Sequence, residues 1–197
     1  MNEQLSLDLG TINIDDAMTD RQTDRPPQTF EEKVEKAGKA LKLAAEMSKT
    51  YYGEPLIVTY SGGKDSDVLL NLAERNLEAN EFEVLNSHTT VDAPETVYHI
   101  RETFERLHKK GIKATVEYHR NEDGTNTTMW SLIEKKCIPP TRIIRYCCAE
   151  LKENSTPNRF CALGVRAAES TKRQGRDTFS TRGGATQVQY FFRLATH

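Results

Sequence analysis

No apolar run in this chain approaches the roughly 18 residues that a membrane-spanning helix requires, and the mean hydropathy is -0.67. A soluble protein without membrane contact is expected. The N-terminus lacks a basic stretch followed by an apolar core, so no secretory signal is legible. Four cysteines, two of them adjacent, are too few for a disulfide framework in a chain of 197 residues. A cytoplasmic location follows, with the cysteines as reduced thiols or metal ligands. There is no field of one sign either: 27 Lys and Arg stand against 29 Asp and Glu, a net charge of -2. That argues against a general nucleic-acid-binding surface. Internal repeats and low-complexity tracts are also missing. The length suits one domain with a sizeable core and not two comfortable ones.

Two common phosphate-binding signatures are absent as well. A Walker A loop needs Ser or Thr after its lysine, where this chain has Asp65, and no G-x-G-x-x-G follows a strand. What is present is Tyr60-Ser61-Gly62-Gly63-Lys64-Asp65-Ser66, entered from the apolar run Leu56-Ile57-Val58-Thr59 and left by an amphipathic one. Strand, glycine turn and helix N-terminus in that order gather backbone N–H groups and a helix dipole at one spot, which suits a phosphate or pyrophosphate. The glycines allow close approach of the anion, Ser61 and Ser66 add hydroxyls, and Lys64 adds a cation. Asp65 would repel a polyphosphate unless a divalent cation lay between them, so the loop points to a nucleotide with Mg2+.

Along the chain, residues 1–28 are polar and acidic and read as a mobile arm ahead of a single domain over 29–197. Thr29-Phe30-Glu31-Glu32 resembles a capping box for a helix to about Tyr51. Strands are expected at 55–60, 82–87, 112–118 and 160–164. Helices are expected from Asp65 to about Asn80 with Val68, Leu69, Leu72 and Ala73 inward, from Pro94 to about Lys110, around Met129–Ile133, and from Arg145 to Glu153. Ala185–His197 reads as one last strand, and Arg182-Gly183-Gly184 as a loop. The alternation predicts an α/β fold, a doubly wound, mainly parallel sheet with helices on both faces. Ligands in such sheets bind beyond the strand carboxyl ends, so 61–66, 88–92, 119–124 and 164–169 are expected to converge.

Four ordered segments carry a family resemblance. They are the Ser61–Ser66 loop, Thr89-Thr90-Val91-Asp92-Ala93-Pro94-Glu95-Thr96, the run from Pro139 to Lys152 containing Arg145-Tyr146-Cys147-Cys148, and Gly164-Val165-Arg166 through Arg173. Over about residues 51–176 the chain resembles the phosphoadenosine phosphosulfate (PAPS) reductase family of the PP-loop adenine nucleotide α-hydrolase superfamily, which includes the DNA-phosphorothioation sulfurtransferases. The resemblance implies that Ser61, Gly62, Gly63, Lys64, Asp65 and Ser66 hold the pyrophosphate of an adenine nucleotide, ATP or PAPS. Lys64 and Asp65 would serve catalysis, with Mg2+ at Asp65. Thr90 and Asp92 would line the nucleotide pocket, with Arg166 and Arg173 as anion contacts.

Read as residues alone, Arg166 and Arg173 have an alternative as surface charges on a helix with Glu169 as their partner, and Asp92 has one as a cap for the helix at Pro94. The segment 142–182 is locally basic and could face an anionic ligand. Adjacent cysteines occur in iron-sulfur members of the family, where a C-x-x-C completes the set; this chain has none. Cys137, Cys147, Cys148 and Cys161 could still supply the four thiolates of a 4Fe-4S cluster, with Cys161 equally a core residue. His88 and His119 end strands without metal-ligand spacing.

Three functions follow. One is cleavage of ATP between its α and β phosphates to adenylate an acceptor for sulfur transfer, with a sulfur-donor protein as partner and nucleic acid as a conceivable acceptor. The second is reduction of PAPS or adenylyl sulfate with a thioredoxin-like reductant, for which the family uses a C-terminal cysteine; none follows Cys161, and the chain ends early after Arg173. A non-catalytic nucleotide-binding module or fragment is the third. The unmodified Ser-Gly-Gly-Lys-Asp-Ser loop favours the first.

Overall fold

The structure, a computed structural model, describes residues 29–121, 123–153, 159–165, 179–184 and 187–193. The expected arm over 1–28 and the residues Arg166, Glu169 and Arg173 lie outside the described residues. Helix α1 (Phe30–Tyr52) opens with the expected capping box, in which Thr29 and Glu32 bond each other's backbone, and closes on Gly53 at φ 68°. Strand β1 (Leu56–Thr59) leads through the glycine turn into α2 (Lys64–Asn76). Then come β2 (Phe82–Ser87), α3 (Pro94–Lys109), β3 (Ala114–Glu117) and α4 (Met129–Lys136). A short α5 (Tyr146–Cys148) continues as a π-turn over Ala149–Glu153 before β4 (Phe160–Leu163).

The chain closes with β5 (Phe179–Gly184) and β6 (Gln187–Arg193), giving a six-stranded sheet in the order β3-β2-β1-β4-β6-β5. Every pairing is parallel except the β5–β6 hairpin. Strand order therefore reverses between β1 and β4, and that switch point lies where the glycine turn leaves β1.

The core forms where Leu56, Val58 and Tyr60 of β1 and its end meet Phe82, Val84, Phe160 and Ala162 from its neighbours. Leu41 and Ala44 of α1, Leu69 and Ala73 of α2, and Ile100, Phe104 and Leu107 of α3 cover this face. Alternation along the strands turns Ile57 and Cys161 to the opposite face, where they too are buried. Burial of about 25 cal/mol per Å2 of apolar surface drives the assembly.

Three expectations need correction. Helix α2 ends at Asn76 and not near Asn80, because Leu77 turns to φ -121°, ψ 151° and inserts its side chain into the core. Val68 is 44% exposed, and Leu70 takes its place on the inward face. Arg182-Gly183-Gly184 is no loop: it ends β5, with Arg182 opposite Gln189 of β6. A long-range hairpin pairing decides that segment, which lacks any alternating apolar pattern of its own.

Candidate active site

The loop after β1 is held from both sides before any ligand is considered. Tyr60 donates its amide to Leu85 of β2, and its carbonyl accepts from the side chain of buried Asn86, both at 2.8 Å. Thr59 ties β1 to the other neighbour through a 3.0 Å bond to the Ala162 carbonyl. Gly62 adopts φ 72°, and a Cβ there would stand 2.9 Å from Thr96 Cγ2 and 3.0 Å from Ile100 Cγ1 of α3. Glycine is thus demanded twice, by backbone conformation and by space. Gly63 then caps α2, which sets the amides of Lys64, Asp65 and Ser66 at the positive end of the helix dipole.

Within the loop the two serines part company. Ser61 is exposed at the mouth, whereas Ser66 is 6% exposed and its hydroxyl is turned inward. Ser66 Oγ accepts from the amides of Ser61 and Gly63 at 3.3 and 3.1 Å and donates to the Gly63 carbonyl at 2.7 Å. That hydroxyl shapes the loop from beneath. Lys64 is exposed and Asp65 half-buried on the first turn of α2, so a cation and a carboxylate share the helix N-terminus with those amides. A carboxylate oxygen in that position is a hard donor of the kind Mg2+ takes.

Of the expected converging segments, Gly164 reaches the loop: a Cβ on it would lie 2.6 Å from the Asp65 carbonyl oxygen. In the stretch after β2, Asp92 is not the cap of α3. Its Oδ2 accepts from the amide and hydroxyl of Thr89 at 3.3 and 2.7 Å, while Ala93 is the N-cap of α3. Thr90 holds φ 65°, costly for a β-branched residue, and its Oγ1 accepts from the Met129 amide at the start of α4, at 2.9 Å. His88 stacks obliquely against Tyr118 with centroids 5.1 Å apart, and the His119 carbonyl accepts from the Thr127 amide.

The cysteines do not assemble into the ligand set that a 4Fe-4S cluster needs. Cys161 is fully buried in β4, paired with Ile57 on one side and Phe191 on the other, and its thiol contacts the Arg159 carbonyl at 3.7 Å. Cys137 is exposed, Cys147 and Cys148 are half-buried, and Arg145 donates to Cys148 Sγ at 3.4 Å. Among the described residues no three His, Cys, Asp or Glu side chains come together as metal ligands.

Sequence reading missed one polar cluster beside the loop. The Tyr60 hydroxyl donates to Asp67 Oδ1 at 2.5 Å and lies 2.9 Å from His99 Nε2 and 3.4 Å from Thr103 Oγ1. Burial, and then the Asp67 contact, push the Tyr60 pKa up to about 12. The available signal was the spacing of Thr96, His99 and Thr103 along one side of α3. Elsewhere, a groove of about 650 Å3 beside β2 and β3 is lined by Glu83, Lys113, Glu117 and Arg159 and includes no loop residue.

Three solved structures illustrate the chain's distant likenesses. FMN adenylyltransferase from Candida glabrata is 15% identical with a TM-score of 0.47, over 89% of this chain and 55% of that one. NH3-dependent NAD synthetase from Campylobacter jejuni, in complex with nitrate, is 15% identical at 0.45, over 73% and 59%. PAPS reductase from Candida auris, a phosphate complex, is 11% identical at 0.45, over 85% and 80%. The chain spans little more than half of the first two, and likeness at this level says nothing about reaction. No curated protein matches significantly. The sequence match is of another kind: residues 55–194, from the start of β1 to the end of β6, fit the phosphoadenosine phosphosulfate reductase domain, and the chain belongs to that family.

Proposed function

We propose that the chain binds ATP at Ser61–Ser66 and cleaves it between the α and β phosphates, adenylating an acceptor for sulfur transfer. The observation that carries this reading is the loop itself. The amides of Lys64, Asp65 and Ser66 stand at the N-terminus of α2, at the switch point of the sheet, with an exposed lysine and a carboxylate on the same turn. The amides and Lys64 would hold the β and γ phosphates, and Asp65 would hold Mg2+, whose chemistry there is neutralisation of phosphate charge. An acceptor oxygen attacks the α phosphorus, the bond to the bridging oxygen breaks, and pyrophosphate leaves with the electron pair. Sulfur from a donor protein then replaces the adenylated oxygen, releasing AMP. Thr90, Asp92, Arg166 and Arg173 remain proposed nucleotide contacts, the last two outside the described residues.

The family match favours a second reading, thiol-dependent reduction of PAPS or adenylyl sulfate. There a thiolate displaces the adenylate from sulfur, and a thioredoxin-like dithiol then releases sulfite as it becomes a disulfide. Cys161 is too buried to be that thiolate, which leaves Cys137, Cys147 and Cys148. The deciding experiment supplies the full chain with ATP and Mg2+ and, separately, with PAPS and thioredoxin. Pyrophosphate and AMP from ATP support the first reading, and sulfite from PAPS the second. If neither product forms and Asp65→Asn leaves nucleotide affinity unchanged, the catalytic reading of the loop fails.

A further inference from the structure

One polar cluster touches both ends of the loop. Tyr60 is the residue before Ser61, and Asp67 is the residue after Ser66. Their side chains meet at 2.5 Å, so a single hydrogen bond closes the six-residue loop at its base. His99 of α3 completes a triangle, with Nε2 2.9 Å from the Tyr60 hydroxyl and 3.4 Å from Asp67 Oδ1. The phenol has one hydrogen, and the carboxylate takes it. His99 must therefore present Nε2–H to the oxygens, which fixes its tautomer by the chemistry of its partners.

The same side of α3 also forms the floor of the loop, since Thr96 and Ile100 lie against Gly62. Burial divides the labour. Tyr60 is 2% exposed and belongs to the core, whereas the His99 and Asp67 side chains are 47% and 46% exposed. A polar pair with that much solvent contact contributes little to global stability. What it can do is fix direction, because the Asp67 carboxylate is held by two donors from two different elements.

We propose that His99 and Asp67 are positioning residues which, through Tyr60, set the geometry of the Ser61–Ser66 loop; the consequence for nucleotide affinity rests on the function proposed above. Removing the imidazole frees the first turn of α2 from α3, so the loop amides no longer converge on one anion.

The test compares His99→Ala and His99→Gln in the full chain, the glutamine keeping an N–H donor near the place of Nε2. Hydrogen exchange of the Ser61 and Gly63 amides, both bonded to Ser66 in the free protein, reads loop geometry without any nucleotide. His99→Ala is expected to speed that exchange and to weaken ATP–Mg2+ binding about tenfold, the order expected for one hydrogen bond to a charged group. Thermal unfolding should hardly move, and His99→Gln should restore both readouts. The double variant with Tyr60→Phe should be no weaker than the worse single one. Unchanged loop exchange in His99→Ala, or a glutamine variant no better than alanine, overturns the proposal. If the unaltered chain fails to bind ATP, the nucleotide reading falls, and loop exchange still decides the positioning role.

Discussion

Gly164, the first residue after β4, presses on the backbone of Asp65: a Cβ in its place would lie 2.6 Å from the Asp65 carbonyl oxygen and 3.3 Å from the Ser66 amide nitrogen. Gly164 directly follows β4, and Asp65 lies on the first turn of α2, which the glycine turn joins to β1, the parallel neighbour of β4 across the switch point. The loop is thus gripped from α3 through Gly62 and from β4 through Gly164, with backbone on one side of the second contact.

Gly164→Ala should therefore displace the start of α2. Neither backbone can yield as a flexible side chain would, and overpacking of this kind costs about 1–3 kcal/mol. The expected outcome is lower thermal stability together with weakened ATP binding, read by calorimetry. Gly53→Ala offers a control: a Cβ there meets nothing within 4 Å, although its φ of 68° adds backbone strain alone.

Ser66 and Ser61 should separate cleanly. Ser66→Ala strips the amides of Ser61 and Gly63 of their common acceptor, and unmet polar groups near the interior cost about 1–3 kcal/mol. Ser61→Ala, at an exposed position, should leave stability within about 0.5 kcal/mol. Chemical denaturation of both variants checks the contrast. Equal losses would show that Ser66 does not organise the loop.

Much of this site was legible because it is local. A glycine pair between an apolar strand and an amphipathic helix is written within about a dozen residues, and Pro94 marks the start of α3 in the same way. The triangle was not legible, since Tyr60 and His99 lie 39 residues apart and meet only when β1 and α3 pack. Nor could spacing tell Cys161 the possible ligand from Cys161 the core residue; its place in the middle of the sheet decided it. The extent of α2 failed for a related reason. Leu77 reads as one more helical residue, yet its burial is satisfied only with an extended backbone.

Thr90 invites a substitution series. Its left-handed backbone favours Asn or Gly, while its hydroxyl is needed by the Met129 amide. Thr90→Asn tolerates that φ and retains an oxygen, so stability should be kept or raised. Thr90→Ala keeps the strain and loses the bond, costing about 1 kcal/mol. Trp130, the chain's one tryptophan, is the next residue after Met129, so its emission reports fraying of the first turn of α4 in the alanine variant.

Glu117 offers a prediction on the other side of the sheet. Its Oε2 is buried without a hydrogen-bond partner, and burial raises its pKa. A carboxyl raised in the folded state favours folding below its unfolded pKa, and that contribution is lost as pH rises through the folded value. Glu117→Gln removes the buried charge, so it should unfold at higher temperature than the unaltered protein at neutral pH, with the gain shrinking in acid. A constant difference across pH would contradict this.

Tyr60 supplies the alkaline counterpart. Its pKa stands at about 12 in the folded chain against 10.0 for an unperturbed phenol, raised first by burial and then by the bond to Asp67. The folded state thus holds the phenolic proton more tightly than the unfolded one. Its contribution is complete below pH 10 and is lost between about pH 10 and pH 12. Other tyrosines and the lysines titrate in the same window, so the informative quantity is a difference. The stability of the unaltered chain minus that of Tyr60→Phe should be flat from pH 7 to pH 9 and then fall with rising pH, because phenylalanine has no proton to lose. Chemical denaturation at each pH measures it. A difference that stays level to pH 12 would mean that the hydroxyl ionises as freely in the fold as out of it, and that the bond to Asp67 does not close the base of the loop.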